Sequence, residues 1–268
     1  MKFLAIISTT LLMPLMLSAQ NNTNLSEDIQ YAGYLVKNGR MQTAYPLLNN
    51  LIINQKRCHE AYYWRALAYT NDGNYKAALS DISQATTISP LNGNYISVKA
   101  QILALLGRHK QAAETYQKAS RTANAEILWI YMAAKEFQLA HQNDKANSII
   151  ENHISEIPNN DTIKLIAAEI LANNDNTIDA LKILNTVTLQ NAQFRLTRGI
   201  TYCKADMNQY AIDDLNSALD LNPTLSDIYI WRGLAKYQMG KRTEARTDWE
   251  TAIKHRNYKA KEYLEKYR

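Results

Sequence analysis

Three basic–acidic pairs, each sixteen residues apart, carry the clearest chemistry in this chain: Arg65 with Asp81, Arg198 with Asp214, and Arg232 with Asp248. A planar guanidinium opposite a carboxylate makes two parallel charge-assisted hydrogen bonds. The pairs are therefore expected to bridge two helices packed side by side. The competing reading of the same residues is an arginine comb for an anionic ligand. Other reactive types are scattered. None of the five histidines, His59, His109, His141, His153 and His255, pairs at i, i+4, so no metal site is expected. Cys58 and Cys203 are expected to be buried, unpaired packing residues. No His-Glu-x-x-His, Gly-x-Ser-x-Gly or Gly-x-Gly-x-x-Gly occurs. The stretch Gly233–Thr243 has six residues between its glycines where a phosphate loop needs four. It also has Arg242 where that loop needs Ser or Thr. The residues thus predict no enzyme, no cofactor and no metal.

The elements that must position these residues follow from a repeat. Seven alanines, Ala44, Ala78, Ala112, Ala146, Ala180, Ala211 and Ala245, are spaced by 34, 34, 34, 34, 31 and 34 residues. Twelve residues before each stands Ala32, Ala66, Ala100, Ala134, Ala168, Gly199 or Gly233. Four after each stands Leu48, Ile82, Tyr116, Ile150, Leu184, Leu215 or Trp249. Gly39, Gly73, Gly107 and Gly240 fall between the two stretches, and Pro90, Pro158 and Pro223 follow the second. Small and large residues at helical spacing, a glycine where the chain must reverse and a proline where a helix must stop describe an antiparallel helix pair. One such pair cannot bury enough surface alone, so the pairs must stack. The composition agrees, because 8 Gly and 5 Pro in 268 residues are too few for the turns of a sheet protein.

These columns resemble the tetratricopeptide repeat (TPR) family over seven units: 25–58, 59–92, 93–126, 127–160, 161–191, 192–225 and 226–259. The resemblance implies an all-α, right-handed superhelical solenoid of about seven helix hairpins, closed by a short cap helix ending at 260–268. It also implies a concave groove lined by the first helix of each hairpin and able to hold a protein or an extended peptide. Carried across by position, the groove residues are Glu60, Tyr63, Asn71, Gln101, Tyr131, Lys135, Gln138, Glu169, Lys204 and Tyr237. They make a polar groove with scattered tyrosines. The shorter 31-residue spacing, around 188–194, predicts a change of twist that sets the first five units apart from the last two. Pro46, two residues past Ala44, predicts a late start to the second helix of the first unit.

Both ends of the chain have their own character. Residues 1–19 place Lys2 before an apolar run from Phe3 to Leu17, followed by Ser18 and Ala19. That order matches a secretory signal peptide. Cleavage after Ala19 is expected, with export to the periplasm or outer envelope of a Gram-negative bacterium and no transmembrane segment in the mature chain. Residues 20–24 are polar and are expected to form a disordered leader. Between 20 and 240 the chain carries twenty Lys/Arg and twenty Asp/Glu, whereas 241–268 carries nine against five, a net of +4. No basic stripe interleaved with aromatics runs along the units, so nucleic acid is not expected. The basic C-terminal end supports a second reading, contact with an envelope glycan or with an assembly or secretion machine.

Overall fold

The computed structural model describes residues 12–55 and 57–267, and for 12–24 and Glu156 the backbone alone. Among the described residues the regular structure is fifteen α-helices and one 3-10 turn, with no strand. The chain forms two compact units that divide between Trp129 and Ile130. In the first, α1 (Leu12–Lys37) is followed by α2 (Met41–Asn54), α3 (His59–Asn71) by α4 (Tyr75–Ile88), and α5 (Gly93–Leu105) by α6 (His109–Ala119). The second contains most of α7 (Ile127–Leu139), then α8 (Asn143–Glu151), the 3-10 turn (Ile154–Glu156), α9 (Asp161–Asn173) and α10 (Thr177–Leu184). It continues with α11 (Ala192–Lys204), α12 (Asn208–Leu221), α13 (Asp227–Gln238), α14 (Arg242–Lys254) and α15 (Ala260–Lys266).

Every second helix of a pair begins three residues before its register alanine, and all seven of those alanines are fully buried. The large residues four positions later are buried with them, Tyr116 at 5% being the most exposed. Packing is closest where glycine replaces alanine. A Cβ on Gly233 would lie 2.5 Å from Trp249 Nε1, and one on Gly199 would lie 2.8 Å from Leu215 Cγ. The indole fits only because the facing residue has no side chain, and its Nε1 donates to the Ile230 carbonyl at 3.1 Å.

The reversal inside each pair is one repeated hydrogen-bond motif. The N–H groups of Arg40, Asn74, Arg108, Gln142, Asn176, Met207 and Lys241 each donate to the carbonyl five residues back, at 2.8 to 3.0 Å. The residue before each donor takes a left-handed conformation, which closes the helix end in the Schellman manner. Gly39, Gly73, Gly107 and Gly240 do so without strain. His141, Asp175 and Asp206 do so at φ 56–62°, so the pairs that lack the glycine keep the turn and bear its steric cost.

Each of the three Arg–Asp pairs forms a two-pronged bridge between the helices of one pair. Arg65 donates to Asp81 at 2.7 and 2.8 Å, Arg198 to Asp214 at 2.5 and 2.8 Å, and Arg232 to Asp248 at 3.0 and 2.5 Å. The remaining nitrogen of Arg65 reaches Asn49 on α2, and that of Arg232 reaches Asn216 on α12, both at 2.7 Å. Each of these arginines therefore fastens three helices. The same register place before Arg198 is held by Asn185, which the 31-residue spacing sets thirteen residues upstream in place of sixteen. Arg195 adds a second guanidinium to Asp214 at 2.7 Å. Lys236 also reaches Asp248, at 2.9 Å.

Three expectations are corrected. Residues 20–24 are helical within α1, not a disordered leader. No glycine or proline intervenes between them and the packed segment beyond Leu25, so an established helix propagates through them. The α2 helix starts on schedule at Met41 and carries Pro46 inside it. The early second turn tolerates the missing donor because Ala44, Leu48 and Leu51 hold the helix by burial. The compact units divide at 129/130 and not at 188–194. The short connection is sewn to α9: the Asp161 carboxylate accepts from the Thr188 hydroxyl at 2.7 Å and the Leu189 N–H at 2.8 Å, and Lys164 Nζ donates to the Thr186 carbonyl at 2.8 Å. The missing length is taken from α10, which has 8 residues where α12 has 14. The N-terminal apolar run lies largely outside the described residues. Among those described, no helix is long and apolar enough to cross a membrane.

Candidate functional site

The first compact unit holds four of the expected groove residues. Glu60 is half-buried, with Oε2 3.1 Å from His59 Nδ1. Tyr63 is stacked on Tyr95 at 4.9 Å between centroids and meets Trp64 edge-on at 5.1 Å, so its ring is packing between hairpins. Burial pushes its phenol above the ordinary tyrosine value. Asn71 and Gln101 are exposed.

In the second unit several groove residues converge. Lys135 Nζ lies 3.7 Å from Glu169, Asn173 donates to Gln138 at 3.2 Å, and Lys204 donates to Asn173 at 2.7 Å and to the Ala172 carbonyl at 3.0 Å. This chain of contacts crosses from α7 to α9 to α11. The Lys204 ammonium also sits 5.8 Å from the centre of the Trp231 ring on α13, within cation–π range. Burial lowers its pKa, against the opposing pull of Asp175.

Two expected groove residues are elsewhere. Tyr131 is fully buried, with its ring edge-on to His153 at 6.3 Å, so it is a core residue of the α7–α8 pair. Tyr237 lies 4.6 Å from Tyr267 and 6.1 Å from Trp249. It belongs to the aromatic cluster that α15 covers, where Tyr263 and Leu264 also pack. In both cases a large ring is drawn into the nearest apolar contact instead of standing in solvent.

The polar chain borders a cleft of about 320 Å³ between α9, α11 and α13. Leu196, Ile200 and Trp231 supply its apolar lining; Glu169, Asn173, Gln193, Asp227 and Lys259 supply polar groups. Thr197 and Thr201 complete the wall, and the Thr201 hydroxyl is already spent on the Thr197 carbonyl at 2.8 Å. Trp231, Ile200, Leu196 and the two threonines were not among the expected residues. A signal for them exists. In the hairpins on either side, the residue aligned with Thr197 is Ile166 or Trp231, and the one aligned with Thr201 is Ile170 or Ala235. At Thr197 a smaller side chain stands where both neighbouring hairpins carry bulk; at Thr201 one neighbour is larger and the other smaller.

Chemically the cleft can desolvate one large apolar side chain and hydrogen-bond the backbone beside it. Among the described residues no group of three or more His, Cys, Asp or Glu is placed to hold a metal ion. Cys203 lies beneath Trp231 and Gln238, and burial pushes its thiol up to about 12.

Residues 32–93 match the tetratricopeptide repeat family. The BBSome complex member BBS4 of Bos taurus is 25% identical over 178 residues, which cover 62% of this chain and 33% of that protein. The TPR repeat-containing protein MJ1428 of Methanocaldococcus jannaschii is 24% identical over 250 residues, 87% of this chain and 43% of that one. The chain thus spans less than half the length of these curated relatives. Among solved structures, a chain of the APC/C hetero-tetramer Cut9–Hcn1 superposes with a TM-score of 0.71 at 17% identity, covering 89% of this chain and 48% of that one. PilF of Pseudomonas aeruginosa gives 0.62 at 15% identity, covering 75% and 93%. YrrB, described as a TPR protein with an unusual peptide-binding site, gives 0.54 at 17% identity, covering 72% and 97%. Seven buried alanines in register, seven identical helix-end turns and these likenesses agree: the chain is a tetratricopeptide-repeat protein.

Proposed function

We propose that this chain is a non-enzymatic scaffold of the cell envelope that holds an extended peptide segment of a protein partner in the cleft between α9, α11 and α13. The tetratricopeptide-repeat fold is in general a non-catalytic scaffold that binds peptides or proteins. The observation that carries the assignment to this cleft is the 320 Å³ space beside Trp231, rimmed by amide and carboxylate groups. It is large enough for one bulky side chain, and its rim suits a peptide backbone. The export reading rests on Lys2, the apolar run to Leu17 and the small residues before Gln20.

The test is a displayed random-peptide library panned against the full chain. Peptides recovered should share an apolar or aromatic residue, quench the Trp231 emission and lose that quench in Trp231→Phe. Asn173→Ala and Trp231→Ala should each lower their affinity about tenfold or more, the scale of a central aromatic or hydrogen-bonding contact. If the recovered peptides bind Trp231→Ala as tightly as the wild type, the cleft is not the site. Fractionation and intact-mass measurement after expression with its own N-terminus test the export reading. A full-mass chain in the cytoplasm would refute it.

A further inference from the structure

The segment Lys254–Lys261 reads KHRNYKAK, four Lys/Arg and a His in eight residues with no carboxylate. It leaves the end of α14, turns and enters α15. Lys254, His255, Arg256, Lys259 and Lys261 are all exposed. None of the four Lys/Arg forms an ion pair among the described residues. Tyr258 stands among them 61% exposed, with Lys261 Nζ 5.3 Å from its ring centre.

The turn is held rigidly. The Asn257 N–H donates to the Ala252 carbonyl at 2.9 Å, and its side chain donates to Asp227 at 2.6 Å. His255 is stacked on Tyr229 at 5.4 Å, 8° from parallel. The demands of the fold explain only part of this charge. A cation at the end of α14 complements the helix dipole, which accounts for Lys254. Lys259 and Lys261 lie instead at the start of α15, the end where cations are disfavoured. Their presence opposes the local electrostatics of the fold.

From this we infer that the α14–α15 corner is a docking surface for an anionic lipid bilayer. Exposed cations on a hydrogen-bonded turn match a broad negative surface. An exposed tyrosine amid lysines has the amphipathic form that settles at a headgroup interface. Lys259 also borders the peptide cleft, so the variants that test this corner are placed at Arg256 and Lys261, which do not line it.

The experiment is co-sedimentation of the full chain with vesicles of equimolar phosphatidylglycerol and phosphatidylcholine at low salt. The protein should pellet with these and not with phosphatidylcholine alone, and high salt should release it. Arg256→Glu with Lys261→Glu changes the corner by four charges and should lower partitioning several hundredfold, at roughly fivefold per charge. Lys76→Glu with Lys110→Glu, the same change of net charge on exposed sites of the first compact unit, should leave most of the binding. Tyr258→Ser should cost a few-fold. Unchanged thermal melting confirms that each variant is folded. A wild type that stays in the supernatant overturns the inference. So does an equal loss in the Lys76/Lys110 variant, or retention on heparin without vesicle binding.

Discussion

Asp248, like Asp214, is shared by two cations. It is 4% exposed and accepts from Arg232 at 3.0 and 2.5 Å and from Lys236 at 2.9 Å. Asp248→Ala leaves two cations facing an emptied site, with Arg232 and Lys236 only 15% and 16% exposed at their side chains. Stranding one partner of a buried pair costs about 3–5 kcal/mol. Arg232 keeps Asn216 at 2.7 Å and Lys236 keeps Glu244 at 3.7 Å, so the lower end, about 3 kcal/mol, is expected. Arg232→Met should cost less, about 1–2 kcal/mol, because Lys236 still neutralises the carboxylate. The double variant should fall short of the sum by at least about 1 kcal/mol. Urea unfolding followed by far-UV circular dichroism measures the cycle, with hydrogen exchange on α13 and α14 as a local readout, since repeat arrays can lose cooperativity. A coupling below about 0.5 kcal/mol would refute the bridge as a stabilising unit. An ordering test accompanies it. Arg198→Met should cost less than Arg65→Met, because Arg195 remains on Asp214 whereas Asp81 has no second arginine among the described residues.

Four further outcomes are expected. Asp206→Gly should stabilise the chain by about 1 kcal/mol by relieving the left-handed residue at φ 56°, as read by urea midpoints; Gly240→Ala should do the reverse. Gly233→Ala should destabilise by about 1–3 kcal/mol through the clash with Trp249, and Trp249→Leu in the same chain should recover part of that loss, which a thermal melt would show. Cys58 and Cys203 should resist a thiol reagent at mildly alkaline pH until the chain is unfolded, because both are buried and burial raises both thiols. Asp161 is held below the ordinary carboxylate pKa chiefly by the Thr188 hydroxyl, with help from backbone N–H groups. Its contribution is present above the unfolded value, near pH 4, and is lost as pH falls through the lower folded value. Asp161→Asn should therefore flatten the acid limb of the stability profile there.

The seven-hairpin array was legible in the sequence because close helix crossings admit only small residues. That demand writes Ala44 through Ala245, with their partners at fixed offsets, directly into the chain. The bridges were legible too, since Arg and Asp occur together or not at all in the relevant columns. The left-handed turns at His141, Asp175 and Asp206 were only half legible. The turn needs a backbone conformation, and glycine is merely the residue that adopts it most easily.

The candidate site was legible only in part. Lys135, Gln138, Glu169 and Lys204 do converge, because their offsets along successive first helices place them on one face. Tyr131 and Tyr237 share that pattern and still turn into the core. A ring's direction depends on which aromatic neighbour lies within reach, which for Tyr131 is His153 and for Tyr237 is Tyr267 in the cap. The cleft beside Trp231 was hidden for a related reason. It exists where Thr197, aligned with Ile166 and Trp231, fails to fill a space bounded by three helices, and a void has no residue of its own. The sequence by itself determined the helix pairs, their register and their internal bridges, all of which depend on which residues recur at which spacing. Only the tertiary structure decided where side chains leave room, because that depends on the shapes of neighbours distant in the chain.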